Sequence, residues 1–310
     1  MKTTPVTKDD LTRSVLAVPP LARSADFSPD TVQNRAIVRH LEAGGVTTLL
    51  YGGNANFYNI GSGDYASLLD MLEGVAAPDT WLIPSIGPSF GLAMDQARWL
   101  RGRDFPTAMV LPMNGQATPA GVETGLARIA EAFGRPVILY LRAENYLEPA
   151  ALARLVQAGM VTAVKYAVER PDPLPDAYLA ALCEAAGSDT MVSGMGELPA
   201  LAHLRDAGLT AFTSGSVCVA PNLSMATLAA CRGGDFTEAA RLRALFLPLE
   251  ELRNALNPIR VLHEAVRLAG IAETGPLLPM LSNIETAHHQ AIGAAARELL
   301  AADRALALAA

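Results

Sequence analysis

The sequence is short of cysteine, of positive charge and of long apolar runs, and each shortage excludes a class of protein. Its three cysteines are Cys183, Cys218 and Cys231, and none belongs to a C-x-x-C pair. This odd, unpatterned set argues against a disulfide framework and favours a reducing cytoplasm. The net charge of −7 argues against nucleic acid as a partner, because nucleic-acid binding requires a basic surface. No run of about 18 apolar residues occurs, so no membrane span is expected.

One phrase recurs along the chain and indicates how the fold is organised. Residues 41–53 read LEAGGVTTLLYGG, residues 155–167 read LVQAGMVTAVKYA, and residues 204–216 read LRDAGLTAFTSGS. Each contains the end of an amphipathic helix, then a glycine, which tolerates the left-handed conformation that ends many helices. The near-continuous apolar run that follows is typical of a parallel strand buried on both faces. The phrase therefore predicts a helix, a turn and a buried strand.

Eight buried strands are predicted in all, with helical periodicity between them. They lie near residues 12–18, 46–51, 80–86, 106–112, 136–140, 161–166, 189–193 and 209–213. Eight alternating units predict a parallel α/β fold that closes into a (β/α)8 TIM barrel. From about Pro221 onward the patterns are helical, over residues 222–232, 235–254, 258–269 and 284–305. We therefore expect a barrel with the active site over residues 1–220 and a helical C-terminal extension packed on it over residues 221–310.

Lysine is almost absent, and its one interior position is informative. Lys2 and Lys8 lie in the polar N-terminal segment, whereas Lys165 lies in the apolar strand MVTAVKYAV. Burying an ammonium group is unfavourable unless its pKa falls and it loses the proton. The neutral amine is then the nucleophile of Schiff-base enzymes, and barrel active sites lie at the carboxyl ends of the strands. The alternative is that Lys165 reaches solvent or pairs with a structural carboxylate.

Tyr140 supports the first interpretation of Lys165. It ends the preceding strand, PVILY, about one βα unit before the lysine. The two side chains are therefore expected on adjacent strands at the same end of the barrel, where the tyrosine hydroxyl can relay protons. Tyr140 alone would be interpreted as an amphipathic residue at the rim.

Small residues follow several of the other predicted strands. Gly52, Gly53 and Asn54 follow the second strand, where backbone N–H groups can approach a carboxylate closely. Gly194 follows the seventh strand and Ser214 ends the eighth. There, small side chains leave room for a ligand and a hydroxyl is available to bind it. Each segment alone is also ordinary turn composition.

Together these segments resemble the dihydrodipicolinate synthase / N-acetylneuraminate lyase family of class I aldolases over nearly the whole chain. GGVTTLLYGGN is similar to the family's second strand and the start of its loop, and AFTSGSVCVAP is similar to its eighth strand. Asn257-Pro258-Ile259 resembles an Asn-Pro segment of the family's C-terminal helices. The resemblance implies that Lys165 in VTAVKYA forms the Schiff base, that Tyr140 in PVILY is the family tyrosine, and that the protein is a homodimer or homotetramer.

The chain departs from the family in the loop after the second strand. The family usually has two threonines there, one of which takes part in the proton relay, and this chain has Asn54 and Ala55. Asn56-Phe57 stands where the family's Gly-Glu follows. Because Ala55 has no hydroxyl, the relay from Tyr140 must take another route, such as a water molecule.

Two further departures concern the founding reaction of the family. Dihydrodipicolinate synthases carry an arginine five residues after the tyrosine, and this chain has Asn145 there, with Arg142 nearby. Met113-Asn114 stands where those enzymes have the aromatic residue that reaches a neighbouring subunit. The fold and the Schiff base are therefore expected, and that particular reaction is not.

The sequence thus predicts a Schiff-base lyase that acts on a small 2-oxo acid such as pyruvate or a keto sugar acid. Aldol cleavage is the first choice, dehydration of a deoxy keto sugar acid is the alternative, and a barrel that binds a keto acid without turnover is a third possibility. The expected catalytic residues are Lys165 and Tyr140. The expected substrate-binding residues are Gly53, Asn54, Ala55, Arg142, Gly194 and Ser214.

No metal or cofactor is predicted for this chemistry. All five histidines lie on predicted helices and not at strand ends, so a metal site is not expected from them. They are His40, His203, His263, His288 and His289. No dinucleotide-binding fingerprint is present.

Overall fold

The computed structural model describes residues 1–113 and 115–309, in which eight parallel strands close into a barrel. The strands are β1 (Leu16–Ala17), β2 (Thr48–Tyr51), β3 (Trp81–Ile86), β4 (Ala108–Val110), β5 (Val137–Leu141), β6 (Val161–Tyr166), β7 (Met191–Ser193) and β8 (Ala211–Ser214). Each strand pairs with the next along the chain, and β8 pairs with β1 through Thr213 and Leu16. All eight predicted strand positions and the predicted TIM barrel are confirmed.

The helices alternate with the strands and then continue beyond them. They are α1 (Lys8–Thr12), α2 (Thr31–Ala43), α3 (Ser62–Val75), α4 (Phe90–Arg101), α5 (Pro119–Phe133), α6 (Pro149–Gln157), α7 (Ala177–Ala186), α8 (Glu197–Asp206), α9 (Pro221–Arg232), α10 (Phe236–Ala244), α11 (Leu247–Ala255), α12 (Pro258–Leu268) and α13 (His289–Ala309). None of the helices within the described residues is long and apolar enough to cross a membrane.

The recurring phrase folds as its glycines predict. Gly45, Gly159 and Gly208 follow α2, α6 and α8, and their φ angles are 82°, 68° and 70°. This left-handed region is readily open to glycine and strained for most other residues. Each helix therefore ends at its glycine, and the chain enters the next buried strand.

The C-terminal helices confirm the predicted extension but not all of its boundaries. The helix predicted over residues 235–254 is wrong, because a turn at Leu245–Phe246 divides that segment into α10 and α11. Pro248 lies in the first turn of α11, where its missing N–H and fixed φ are tolerated, whereas inside one long helix it would remove a hydrogen bond. α11 packs against α12, α13 and α8. The domain boundary at residue 220 stays a prediction.

The strands place the two predicted catalytic residues side by side. Every residue of β2, β3, β4, β7 and β8 is buried, as expected for parallel strands covered on both faces. β5 and β6 pair in parallel with Tyr140 opposite Lys165. Both residues lie next to the last residue of their strand, so both belong to the carboxyl end of the barrel.

Candidate active site

Lys165 is a buried amine beside an aromatic ring. Its relative exposure is 5%, and its Nζ lies 4.2 Å from the centroid of the Tyr140 ring. The structure does not bring Lys165 to solvent, and no carboxylate of residues 1–113 or 115–309 forms an ion pair with it. The alternative interpretation of Lys165 as a surface or ion-paired lysine is therefore wrong.

The surroundings of Lys165 favour its neutral form. Burial lowers the pKa of the amine to about 7, and the positive charges of Arg142 and Arg253 lower it further in the same direction. An amine with such a pKa is largely neutral just above neutral pH, and a neutral amine is what adds to a carbonyl carbon. The lysine is therefore prepared for Schiff-base chemistry before a substrate arrives.

Tyr140 is a weak acid in this setting. Burial raises the pKa of its hydroxyl, with Arg142 acting in the opposite direction. The hydroxyl therefore keeps its proton at neutral pH and is able to donate it. The described contact with Lys165 is made by the ring face, which can also stabilise the charged forms of the amine.

Arg142 follows β5 and lies at the rim of the site. Its Nη2 forms an ion pair with Glu169 Oε1 at 2.7 Å, and 39% of its side chain is exposed. Burial raises the pKa of the nearby Tyr58 hydroxyl, and the positive charge of Arg142 partly offsets this effect. Arg142 is thus a positive group at the entrance, near Tyr140 and Lys165.

The loop after β2 meets the end of β8. Asn54 Nδ2 donates a hydrogen bond to the carbonyl of Val18 at 2.8 Å, and the same nitrogen approaches Gly215, where an added Cβ would lie 2.9 Å from it. Gly53 is half-buried and has open space on one side, since an added Cβ would meet only Tyr58 at 3.8 Å. The predicted substrate-binding residues Gly53 and Asn54 are therefore at the carboxyl end of the barrel.

Gly194 and Ser214 lie at the predicted strand ends but have contacts of their own. The Gly194 N–H donates to the Tyr166 carbonyl at 2.7 Å, and an added Cβ would lie 2.5 Å from that oxygen. This glycine is thus needed for close packing of two strand ends. Ser214 Oγ donates to Glu197 Oε1 at 2.5 Å and accepts from the Val217 N–H at 2.9 Å. The contact of either residue with substrate stays a prediction.

A buried polar network beside the site was not predicted from the sequence. Glu197 has no exposed surface, its Oε1 also accepts from Ser224 Oγ at 2.9 Å, and its Oε2 has no partner among the described residues. Burial, followed by the nearby charge of Glu250, raises its pKa above the usual range for a carboxyl group. Glu250 in turn accepts from Arg253 Nη1 at 2.5 Å and from Ser216 Oγ.

The sequence indicates the position of Glu197 in this network but not the positions of Glu250 and Arg253. Glu197 directly follows Gly194-Met195-Gly196 after β7. This position identifies it as a carboxylate near the carboxyl end of the barrel. Glu250 and Arg253 lie on a helix beyond the barrel, three residues apart like many surface pairs, and gave no such signal.

The dihydrodipicolinate synthetase family pattern matches residues 94–299, which is well over half of the chain. The chain belongs to this family. Members of the dihydrodipicolinate synthetase family are class I lyases that act through a Schiff base, and the chain is an enzyme of this class.

Individual relatives agree with the family at modest identity. A Streptomyces coelicolor protein named probable 5-dehydro-4-deoxyglucarate dehydratase 2 is 26% identical over 281 residues, which cover 89% of this chain and 86% of that protein. The dihydrodipicolinate synthase of Bacillus clausii superposes with a TM-score of 0.79 at 20% identity, over 96% of this chain and 100% of that one. The enzyme of Cyanidioschyzon merolae gives 0.81 at 16% identity, over 93% and 98%. Both structures share the barrel fold.

The departures from the dihydrodipicolinate synthetase family have structural counterparts. Ala55 is 2% exposed and belongs to the hydrophobic core. Asn145 is exposed in a left-handed conformation, with a φ angle of 57°. The Met113 N–H donates to the Tyr146 hydroxyl at 3.0 Å, and Asn114 lies outside the described residues.

The histidines lie where the sequence predicts. His40, His203, His263 and His289 are on α2, α8, α12 and α13, and His288 is in a short 3-10 turn just before α13. Within the described part of the chain, no three side chains of His, Cys, Asp or Glu are grouped to hold a metal ion.

Proposed function

We propose that the chain is a Schiff-base dehydratase of a keto sugar acid, with the imine formed on Lys165. The observation that carries this proposal is the buried Lys165 amine, with its pKa lowered to about 7, at the carboxyl end of the barrel. The name of the Streptomyces coelicolor relative supports dehydration among the reactions that such an imine allows.

The compound in the name of the Streptomyces coelicolor relative has the groups that dehydration through an imine requires. A 5-dehydro-4-deoxyglucarate has a ketone at C5, a methylene at C4, a hydroxyl at C3 and a carboxylate at each end. The ketone lies next to one carboxylate, so the compound is a 2-oxo acid when it is numbered from that end. Of its two hydroxyls, at C2 and C3, the one at C3 lies two carbons from the ketone, which is the arrangement that an imine activates for loss of water.

The proposed reaction begins with addition of the neutral Lys165 amine to the keto carbon. The Tyr140 hydroxyl donates a proton to the carbinolamine oxygen, which leaves as water and gives the iminium ion. The iminium withdraws electrons from C4, so a C4 proton passes to the Tyr140 oxygen, which gave up its own proton in the previous step, and an enamine forms. The electron pair of the enamine then expels the C3 hydroxyl, which takes up a proton and leaves as water. Hydrolysis of the unsaturated iminium frees Lys165 and a product that is one water lighter.

The two ends of the substrate have different proposed contacts. The loop of Gly53, Asn54 and Ala55 would receive the carboxylate next to the ketone through its backbone N–H groups. Arg142 would bind the distal carboxylate at the rim, because a guanidinium forms strong charge-assisted hydrogen bonds with carboxylates. The ion pair with Glu169 holds Arg142 in place until the substrate binds.

Aldol cleavage is the second candidate, and the same substrate distinguishes it. Cleavage of the C3–C4 bond beside the imine would release pyruvate and a three-carbon aldehyde acid. The two reactions share the imine and differ in which bond the electron pair breaks. Aldol cleavage needs a base for the C3 hydroxyl proton, and Ala55, in the place of a family threonine, offers no hydroxyl to relay it.

The test is product analysis with 5-dehydro-4-deoxyglucarate. The expected product is one water lighter than the substrate, by mass spectrometry, and Lys165→Ala should abolish its formation. Lys8→Ala, which removes an exposed lysine, is the matched control and should keep full activity. Pyruvate as the main product would establish the aldolase instead, and no turnover of any keto sugar acid would leave only a keto-acid-binding barrel.

The remaining expectations stay proposals. We propose that the small-molecule partner is a 2-oxo acid and that the protein is a cytoplasmic homodimer or homotetramer, as in the family it belongs to. Analytical ultracentrifugation should then give the mass of two or four chains, and a monomer at micromolar concentration would contradict this.

A further inference from the structure

The C-terminal extension brings a positive charge to the mouth of the barrel. Arg253 lies on α11, outside the (β/α)8 units, yet only 7% of it is exposed. A buried guanidinium is unfavourable unless its hydrogen-bonding capacity is used. The position of Arg253 therefore needs an explanation beyond packing.

Two of the three guanidinium nitrogens are held by the protein. Nη1 donates to Glu250 Oε1 at 2.5 Å, and Nε donates to the Pro258 carbonyl at 3.3 Å. Glu250, which is 3% exposed, is in turn bound by Ser216 just after β8. These contacts fix the plane of the guanidinium group and leave Nη2 on its far side.

Nη2 is directed at the end of β8. An added Cβ at Gly215 would lie 2.6 Å from Nη2, 2.9 Å from the Arg253 Cζ and 2.9 Å from Asn54 Nδ2. Only glycine at this position allows the guanidinium to come so close to the strand end. Within residues 1–113 and 115–309, no acceptor forms a hydrogen bond with Nη2. Two donors, from Arg253 and Asn54, thus converge beside Gly215.

The same guanidinium lies near the reactive amine. Arg253 is one of the two arginines whose charge, after burial, lowers the pKa of Lys165. Arg142 is at the β5 side of the site, whereas Asn54 and Gly215 belong to the β2 and β8 side. A 2-oxo acid that forms an imine with Lys165 therefore has a positive group on each side of it.

We propose that Arg253, together with Asn54, binds the carboxylate that is directly bonded to the imine carbon, so that the C-terminal extension supplies a substrate-binding residue to the barrel. This inference rests on the proposed Schiff-base function. A carboxylate oxygen takes the hydrogens of Nη2 and Asn54 Nδ2, and a charge-assisted contact of this kind is stronger than one between neutral groups.

The test compares a charged with a neutral ligand in the trapping of the imine. Half-saturating concentrations are measured for borohydride trapping with pyruvate and with its neutral amide at pH 9, where the Lys165 amine is neutral. Arg253→Gln should raise the value for pyruvate about 10- to 100-fold, which is the range for a hydrogen bond to a charged group. The half-saturating concentration of the amide should change less than about threefold. The amide is neutral, so it makes no ion pair with Arg253 that the substitution could remove.

Controls separate a binding role from a structural one. Arg241→Gln, which breaks an exposed Arg241–Glu238 pair of the same spacing on α10, should change neither value. If Arg253→Gln does not fold because Glu250 is left unpaired, the double variant Glu250→Gln/Arg253→Gln removes both charges and is expected to show the same ligand dependence. Gly215→Ala, which pushes a methyl group against Nη2, should also weaken pyruvate and spare the amide.

Equal changes for pyruvate and its amide would overturn the inference and assign Arg253 a structural role. Unchanged values for both ligands in Arg253→Gln would overturn it as well. Failure of the wild type to form any trapped adduct would overturn the proposed Schiff base and this inference with it, so the two failures are distinguishable.

Discussion

Replacing Lys165 by methionine should stabilise the protein at neutral pH, although it removes the reactive amine. Methionine fills similar space in the apolar strand and has no charge to bury. Burial lowers the Lys165 pKa from its ordinary 10.5 to about 7. This shift means that the protonated amine destabilises the folded chain by about 4–5 kcal/mol. The reactive residue is thus expected to be a local source of instability, as functional groups often are.

The effect has a definite dependence on pH. Below pH 7 the amine is protonated in both the folded and the unfolded chain, so the full destabilisation is present. Between pH 7 and 10.5 only the unfolded chain binds the proton, so the stability of the wild type rises with pH relative to Lys165→Met. The stability advantage of the variant should therefore shrink by about 1.4 kcal/mol for each pH unit between pH 8 and 10.

Urea unfolding of both proteins at pH 6.5, 8, 9 and 10 measures this difference. Other titrating groups are common to both chains and cancel in the comparison. Lys8→Met, at an exposed position, controls for the loss of a lysine as such. A stability difference between wild type and Lys165→Met that is the same at every pH would contradict the lowered pKa, because it would mean that the folded and unfolded chains bind the Lys165 proton equally.

Three further outcomes are expected. Tyr140→Phe should fold normally and lower kcat by about 10²- to 10⁴-fold, the usual contribution of a positioned acid–base group, and a loss of less than about threefold would assign the proton transfer elsewhere. The rate of imine trapping should rise with pH through about 7, because the pKa of Lys165 is lowered to about 7 and only the neutral amine reacts; a rise centred near 10 would contradict this. Condensation of pyruvate with aspartate semialdehyde should be negligible in a coupled assay, because Asn145 offers no guanidinium for the aldehyde's carboxylate, and a turnover number near about 10 s⁻¹, a median value for enzymes, would refute this.

The barrel and the position of its lysine were predictable because both depend on local patterns. Apolar runs and helix-ending glycines such as Gly159 and Gly208 mark each unit, and consecutive units of a barrel are neighbours. That rule alone predicts Tyr140 and Lys165 on paired strands, which the register confirms.

The parts that escaped prediction depend on contacts between distant segments. Arg253 reaches the site through the packing of α11 on the barrel, which no periodicity in residues 247–255 reveals. The hydrogen bond from the Ser214 hydroxyl to Glu197, at the start of α8, was not predicted either, because nothing in the local pattern pairs these two residues. The break before Pro248 was visible in the sequence, since proline is favoured in a first helical turn and disfavoured inside a helix.

Mass spectrometry after borohydride reduction shows whether Lys165 forms an imine with a 2-oxo acid. The protein is reduced in the presence of 5-dehydro-4-deoxyglucarate or pyruvate, digested, and searched for the modified peptide. We expect a reduced adduct on Lys165 that is absent from Lys165→Ala. An adduct that persists in Lys165→Ala, or one found only on Lys2 or Lys8, would contradict it.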